Sequence, residues 1–280
     1  MLKKLKDVNW KRVLRFTGWS LGITCFFITV GFTEKRQQEM LCKEVNIRIL
    51  NDHNLGFVEV NDIIQMIQDK FGMLEGKPMQ AINISLLENI INNNPFVSRA
   101  EVFSSIDGKL TIEVVPRNPI VRIMNSSDES FYIDEEGVFM PLSEKYSASV
   151  PVVNGFIADK ESLHRIRIQE DKDINDTSFH PRTIEKIYML ADYIRHHEFW
   201  NAQVEQVFVS EDGDLELIPR VGRHTIVYGD MTGEQGYGKE MDEKFNKLFL
   251  FYKEGLSKQG WDKYNTINLK YKDQIVCTKK

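Results

Sequence analysis

The stretch "LTIEVVPRNPIVRI", residues 110–123, consists of two strand-like runs separated by the proline pair Pro116 and Pro119. Proline has no N–H to donate to a β-ladder, so a strand must end or move to a sheet edge at such a pair. We therefore predict a domain boundary at this point. One unit is expected over residues 45–117 and a second, β-rich unit over residues 118–280.

The first unit shows five predicted elements in the order β-α-α-β-β. They are a strand, two helices and two more strands, expected over residues 45–50, 61–71, 85–91, 96–103 and 109–115. The strand runs alternate apolar and polar residues, and the helical runs repeat apolar residues at helical spacing. Asn61 is predicted to cap the first helix, and Ser85 with Glu88 is predicted to form the capping box of the second.

The second unit is predicted to be a mixed β-sheet flanked by helices. Near its start, "YIDEEGVFMPL" (132–142) places two strand-like runs around the acids Asp134, Glu135 and Glu136. A calcium loop needs alternating ligands and a late glutamate, which this run lacks. We therefore predict a solvated hairpin turn and no metal site.

The later part of this unit alternates helical and strand-like patterns. Its predicted elements are a helix starting at Pro181, a hairpin over 203–219, a strand over 223–229, a helix ending at Gly255 and two strands within 266–280.

Charge is unevenly distributed along the 280-residue chain, whose formal net charge is −5. Residues 1–33 hold six basic side chains and one acid, so the remainder is acidic. A nucleic-acid-binding protein would need a basic surface on its folded part, and we therefore predict no nucleic-acid partner. The three cysteines are too few and too scattered for a disulfide framework, so free thiols are expected.

Residues 16–33 contain no charged side chain, and as a helix they would be about 27 Å long, close to the thickness of a bilayer core. We predict a transmembrane helix over 16–33, a cytoplasmic tail over 1–15 and a linker over 34–44. A cleaved signal peptide would need a small-residue cleavage site, which is not evident, and a buried helix would show a polar face. The bulk of the chain is expected on the far side of the bilayer.

Signatures of catalysis or cofactor binding are weak. The run "GEQGYGKE" (233–240) has the glycine and lysine spacing of a phosphate-binding loop, but Glu240 stands where a Ser or Thr would hold magnesium. His196 and His197 are adjacent, so they do not share a helix face as zinc ligands would. We predict no catalytic residue, no cofactor and no small-molecule substrate.

The end of the chain, "QIVCTKK" (274–280), has the pattern of a short edge strand with cationic last residues. Such a strand can accept a strand of another protein through main-chain hydrogen bonds. An ordinary protected edge is the alternative.

The order of the first unit resembles that of the small POTRA domains, which bind or guide other chains. With the basic N-terminus, the single span, "LTIEVVPRNPIVRI", "YIDEEGVF", "VPVVNG" and "INLKYKDQIV", the whole chain resembles the FtsQ/DivIB family of bacterial cell-division proteins. The resemblance implies an α+β fold with one N-terminal transmembrane helix, a POTRA-like domain and a C-terminal mixed β-sheet domain flanked by helices. It also implies an inner-membrane protein of the division septum, with a cytoplasmic N-terminus and a periplasmic bulk.

The function implied by the resemblance is a non-enzymatic scaffold that links early and late division proteins. An FtsB/FtsL pair would bind its terminal strands, and other division proteins would bind its POTRA-like domain. The implied partner-binding residues are Tyr271, Lys272, Asp273, Gln274, Ile275, Val276 and Cys277. Two alternatives are another POTRA-containing export or assembly factor and an envelope enzyme or sensor ectodomain.

Overall fold

A computed structural model describes residues 15, 17–26, 40–50, 56–125, 129–157, 181–233 and 236–280. The described chain divides into two compact units. The first holds the residues up to Leu50 and those from Val58 to Val115. The second holds the residues from Pro116 onward, together with Gly56 and Phe57.

The first unit has the β-α-α-β-β order predicted from its sequence. Its elements are β1 (Glu44–Ile49), α1 (Val60–Phe71), α2 (Ile84–Asn92), β2 (Val97–Ser104) and β3 (Lys109–Pro116), with a short 3₁₀ turn at Met79–Ala81. The strands form a sheet in the order β1-β3-β2, in which β1 runs parallel to β3. The inward-facing apolar residues of the helices and of β3 are fully buried between the two layers, and they include Ile63, Leu87, Ile91, Leu110 and Ile112.

Both predicted helix caps in this unit are wrong. Helix α1 is capped by Glu59, whose N–H donates to Asp62 Oδ2 at 3.0 Å. Helix α2 is capped by Asn83, whose Oδ1 accepts from the Leu86 N–H at 3.0 Å. The cap is the last extended residue before the helix, and in α2 that residue lies two positions before the predicted Ser85.

The second unit contains a nine-stranded sheet with helices packed against it. Its elements, in chain order, are β4 (Pro119–Met124), β5 (Ser130–Asp134), β6 (Phe139–Pro141), β7 (Val152–Gly155), α3 (Thr183–Arg195), α4 (Glu198–Gln203), β8 (Val204–Val209), β9 (Leu215–Pro219), β10 (Thr225–Gly229), α5 (Tyr237–Leu250), a π-helical turn (Phe251–Leu256), α6 (Ser257–Gln259), β11 (Tyr264–Asn268) and β12 (Val276–Lys279).

The strand order is β12-β11-β10-β9-β8-β7-β4-β5-β6, so the last strand of the chain lies at one end of the sheet. The predicted hairpins are present as the antiparallel pairs β5/β6 and β8/β9, and the mixed sheet is confirmed by the parallel pairs β4/β7, β7/β8 and β10/β11. The proline pair separates β3 from β4 as the sequence predicted.

Two helix boundaries differ from the prediction. Pro181 precedes α3, which begins at Thr183 after its cap Arg182. The last helix does not end at Gly255 but continues to Gln259 and is capped by Gly260, whose φ of 94° favours glycine. Gly255 has a packing role instead, because a Cβ there would lie 2.9 Å from the Phe251 ring.

The predicted membrane span is described in part. Residues 17–26 are helical, and the Thr24 hydroxyl donates to the Ser20 carbonyl oxygen, as expected for a hydroxyl on an apolar helix. Among the residues that the structure describes, no helix is long and apolar enough to cross a membrane. The rest of the predicted span, most of the predicted linker and the polar run 159–178 lie outside the described residues.

Candidate partner-binding edge of the nine-stranded sheet

Strand β12 forms one edge of the nine-stranded sheet. It pairs antiparallel with β11, with Val276 opposite Asn268 and Cys277 opposite Ile267. In the described part of the chain no strand pairs with the other side of β12. The sequence predicted that the last strand of the chain is an edge strand, and β12 does lie at an edge of the sheet.

The main-chain groups on the open side of β12 follow from the hydrogen bonds of its neighbour. The Leu269 N–H donates to the carbonyl oxygen of Val227 in β10 at 2.8 Å. Since main-chain direction alternates along a strand, Asn268 turns its N–H and C=O toward β12 and hydrogen-bonds with Val276. Cys277, the next residue, directs its main-chain groups outward, and so does Lys279.

The side chains of the edge alternate in exposure. Cys277 and the preceding Ile275 are partly buried against the core of the unit, whereas Val276 is 42% exposed. Strand β12 is therefore amphipathic, with one face on the core and the other in solvent. Burial raises the pKa of the Cys277 thiol, so the thiol is neutral and a poor nucleophile.

The residues predicted to bind the partner occupy two places. Tyr271 to Ile275 lie in the connection between β11 and β12, and only Val276 and Cys277 lie in β12 itself. The connection is held by Lys247 of α5, whose Nζ donates to the Tyr271 and Lys272 carbonyl oxygens at 2.9 and 2.7 Å. Burial, with a further contribution from Lys244, lowers the pKa of Lys247.

A polar recess of about 350 Å³ lies beside this connection. Two ion pairs line it, Lys270 with Asp214 at 2.6 Å and Lys244 with Glu240 at 2.8 Å. Glu240 Oε2 also accepts from the Gly233 N–H at 2.9 Å. A carboxylate of the chain itself thus occupies a main-chain N–H at the start of the run that resembled a phosphate-binding loop, which favours a structural role for Glu240.

The acidic turn between β5 and β6 is not the solvated tip that the sequence predicted. Asp134 is 1% exposed, and its Oδ2 accepts from Arg117 Nη1 at 2.7 Å. Its Oδ1 accepts from the N–H groups of Glu136 and Val138 at 3.0 and 2.7 Å. The prediction is wrong for Asp134 because the partly buried Arg117 and the turn amides replace the water that a carboxylate requires. Burial raises the pKa of Asp134, and the Arg117 bond opposes that shift.

The two other acids of the turn are exposed, but each has partners. Glu135 Oε2 accepts from Arg195 Nη1 at 2.9 Å, and the Glu135 carbonyl oxygen accepts from the Tyr188 hydroxyl at 2.8 Å. Glu136 Oε2 lies 3.3 Å from Arg117 Nη1. The turn therefore anchors β5 and β6 to helix α3 and to the start of the unit. Within the described ranges, no three His, Cys, Asp or Glu side chains are arranged to hold a metal ion.

The opposite edge of the sheet is the three-residue strand β6. The Asp134 N–H donates to the Val138 carbonyl oxygen, so Asp134 and Tyr132 turn their main-chain groups toward β6, and Met140 turns its own toward β5. The main-chain groups of Phe139 and Pro141 then point outward. Pro141 has no N–H, so it offers a partner strand no donor.

Comparison with known proteins identifies the family of the chain. Residues 118–278 match the family described as "FtsQ/DivIB, C-terminal related", which is more than half of the chain. The chain belongs to the FtsQ/DivIB family. Residues 40–115 match the family described as "POTRA-like domain", and they contain the β-α-α-β-β unit.

A curated relative supports this assignment over nearly the full length. Cell division protein FtsQ of Geotalea daltonii is 22% identical to the chain over 283 aligned residues, which cover 99% of the chain and 92% of that protein. The resemblance of the sequence to the FtsQ/DivIB family is thus confirmed.

Some residues that shape the edge of this FtsQ/DivIB protein carry no signal in the sequence. Lys247 is one of several lysines on a helix, and only its contact with the β11–β12 connection distinguishes it. Lys279 resembles a solubilising end residue, but its main chain faces the open side of the edge. Main-chain direction depends on strand pairing, which a sequence pattern does not specify.

Proposed function

We propose that this FtsQ/DivIB protein is a non-enzymatic scaffold of the division septum that links early and late cell-division proteins. An FtsB/FtsL-like pair binds it by adding a strand to β12. The observation that carries this proposal is the position of β12 at the end of the sheet, with no strand on its outer side among the described residues. Family membership supports the cell-division role.

The chemistry of the edge suits strand addition. Cys277 and Lys279 direct main-chain donors and acceptors outward, and an added strand can bond to both. Val276 and Tyr271 expose apolar surface beside them. The proposed contact region comprises Tyr271, Lys272, Asp273, Gln274, Ile275, Val276 and Cys277, extended here to Lys279.

The proposed topology follows from the N-terminal sequence. Residues 16–33 anchor the protein in the inner membrane, and the basic residues before them keep the tail 1–15 in the cytoplasm. The linker 34–44, the POTRA-like domain 45–117 and the C-terminal domain 118–280 then lie in the periplasm. The POTRA-like domain is the second docking surface, for other division proteins.

Co-purification with an FtsB/FtsL pair tests the strand-addition mode. Ile275→Pro removes an N–H just before β12, and Cys277→Pro removes one on its open side, while neither removes a bond of β12 to β11. We expect both variants to lose the FtsB/FtsL pair. Ile275→Ala and Cys277→Ser keep the N–H groups and are expected to retain it. Retained binding by both proline variants, each folded by circular dichroism, would exclude this mode.

Localisation tests the cell-division role separately. A fluorescent fusion of the full chain is expected to concentrate at midcell during constriction. Uniform staining of the cell envelope would contradict a septal role, whatever the mode of partner binding.

A further inference from the structure

The POTRA-like unit has a second sheet with two edges, and its helices close one of them. Strand β2 forms that edge, and its outward main-chain groups are bonded to side chains of α2. The Ala100 N–H donates to Asn92 Oδ1 at 2.7 Å, and the Val102 N–H donates to Glu88 Oε1 at 2.8 Å. Two donors that a partner strand would need at β2 are therefore already bonded.

Strand β1 forms the other edge, and it is open in the described part of the chain. The Leu50 N–H donates to the Val114 carbonyl oxygen at 2.8 Å. The even-numbered residues of β1 therefore direct their main-chain N–H and C=O groups toward β3. Val45 and Ile47 therefore direct their main-chain groups outward. Their neighbours across the ladder are the buried Leu110 and Ile112, so their side chains lie on the helix-facing side of the sheet.

An apolar groove of about 220 Å³ runs beside this edge. It lies between β1 and α1, and its apolar lining is Val45, Ile47, Ile64, Ile67, Met73 and Leu74, with Gln68 and Glu75 as its polar lining residues. Met73 is 69% exposed and Ile64 is 37% exposed. Methionine is over-represented at binding surfaces because its flexible side chain adapts to varied partners.

The groove lies beside the outward main-chain groups of β1, and this arrangement indicates which class of ligand fits there. A helix has no main-chain groups to offer to β1, whereas an extended segment can bond to Val45 and Ile47. Alternate side chains of such a segment would point into the groove. We propose that β1 and this groove bind an extended partner segment with apolar side chains at alternate positions, and that β2 does not.

This inference deepens the proposed function, since it takes the POTRA-like unit as a docking surface and assigns the edge and the class of ligand. It does not depend on β12. The two sites can therefore be tested on the same full-length protein.

The test uses a fluorescein-labelled 11-residue peptide of alternating Ile and Thr with lysines at both ends, and the full chain in detergent micelles. A peptide of the same composition with its isoleucines grouped is the control ligand. Fluorescence anisotropy is expected to show at least about tenfold tighter binding of the alternating peptide. Equal binding of the two peptides would overturn the proposal.

Variants locate the bound peptide. Ile47→Pro removes an outward N–H, and Met73→Glu places a charge in the groove at a surface position that leaves the core intact. Each is expected to weaken binding at least about tenfold. Phe103→Glu changes an exposed apolar residue of β2 and is expected to have no effect. Unchanged binding by Met73→Glu, or loss with Phe103→Glu, would overturn the proposal.

Ile275→Pro separates this inference from the proposed function. The peptide is expected to bind Ile275→Pro normally, and the Met73→Glu variant is expected to retain the FtsB/FtsL pair. If Ile275→Pro abolishes peptide binding, the peptide sits at β12, and the β1 proposal is wrong while strand addition at β12 stands.

Discussion

The two edges of the nine-stranded sheet differ in the main-chain donors that they offer to a partner strand. Strand β6 has three residues, and Pro141 occupies one of its outward positions, so only Phe139 offers an outward N–H. Strand β12 has four residues, and both Cys277 and Lys279 offer one. Short strands and prolines are the usual means of protecting an edge. The β6 end of the sheet thus offers fewer outward main-chain donors than the β12 end.

The structures behind the two edges differ as well. Behind β6, the ion pair of the partly buried Arg117 with the buried Asp134 and the bonds of Glu135 to α3 hold the turn. On the β12 side, Lys247 holds the β11–β12 connection through two carbonyl oxygens. Near the start of β10, the buried His224 bonds to Tyr252 at 2.8 Å. An ion pair with a buried carboxylate therefore supports the β6 edge, whereas a lysine bonded to main-chain carbonyl oxygens supports the connection to β12.

The largest expected effect is at the protected edge. Arg117→Met leaves the carboxylate of Asp134 buried without its cation, and breaking such a pair costs about 3 kcal/mol. We expect the free energy of unfolding of the second unit to fall by about that amount, measured by urea denaturation. Partner binding at β12 is expected to be unchanged in the folded variant.

Arg195→Met is the control, because it removes the more exposed ion pair with Glu135 on the same turn, together with the exposed pair with Asp192. Such pairs contribute below about 1 kcal/mol. Equal losses from the two variants would show that burial of Asp134 does not distinguish the pairs.

A smaller effect is expected on the β12 side when the pH falls. Burial lowers the pKa of His224, and the charge of Lys280 adds to that shift, against the opposing effects of the Trp261 backbone and Asp262. As the pH falls, His224 takes up a proton more readily in the unfolded chain than in the folded chain, so stability is lost on acidification. Hydrogen-exchange protection of β10 and β11 is expected to fall between pH 7.5 and 5.5.

His224→Gln isolates this contribution, because glutamine does not titrate. The hydrogen-exchange protection of β10 and β11 in this variant is expected to vary less with pH than in the wild type, even if it is lower at every pH. Parallel pH profiles of the two proteins would rule out His224 as the cause.

The smallest expected effect on stability comes from opening the protected edge. Pro141→Thr supplies an outward N–H to β6, with a stability change of a few tenths of a kcal/mol. We expect concentration-dependent self-association in sedimentation velocity, because both edges can then pair. The experiment is made in the Ile275→Pro background as well, and association that survives there reports pairing through β6. If Pro141→Thr self-associates no more than the wild type at any concentration, the proline is not what protects this edge.

The sequence predicted the elements better than the side-chain contacts. The period of two in residues 109–115 and the proline pair after it lead directly to β3 and β4. Glu88 had the spacing of a capping residue, but it bonds to Val102 of β2 instead. Asp134 lies in a run typical of a solvated turn, but Arg117, 17 residues away, donates a hydrogen bond to it. A local pattern contains no information on a partner that folding brings from elsewhere.

The sequence by itself determined the order of the elements, the division into a POTRA-like and a β-rich part, and membership of the FtsQ/DivIB family. These depend on residue periodicity, on prolines and on motif order, which are local properties of the chain. Tertiary structure alone decided which strands lie at sheet edges and which of their main-chain groups point outward. It also placed the ring of Phe57 against that of Tyr146, with 4.8 Å between the ring centroids, although both residues of the second unit are far apart in sequence. Pairing and packing join residues far apart in the chain, so they depend on the whole fold and not on any one segment.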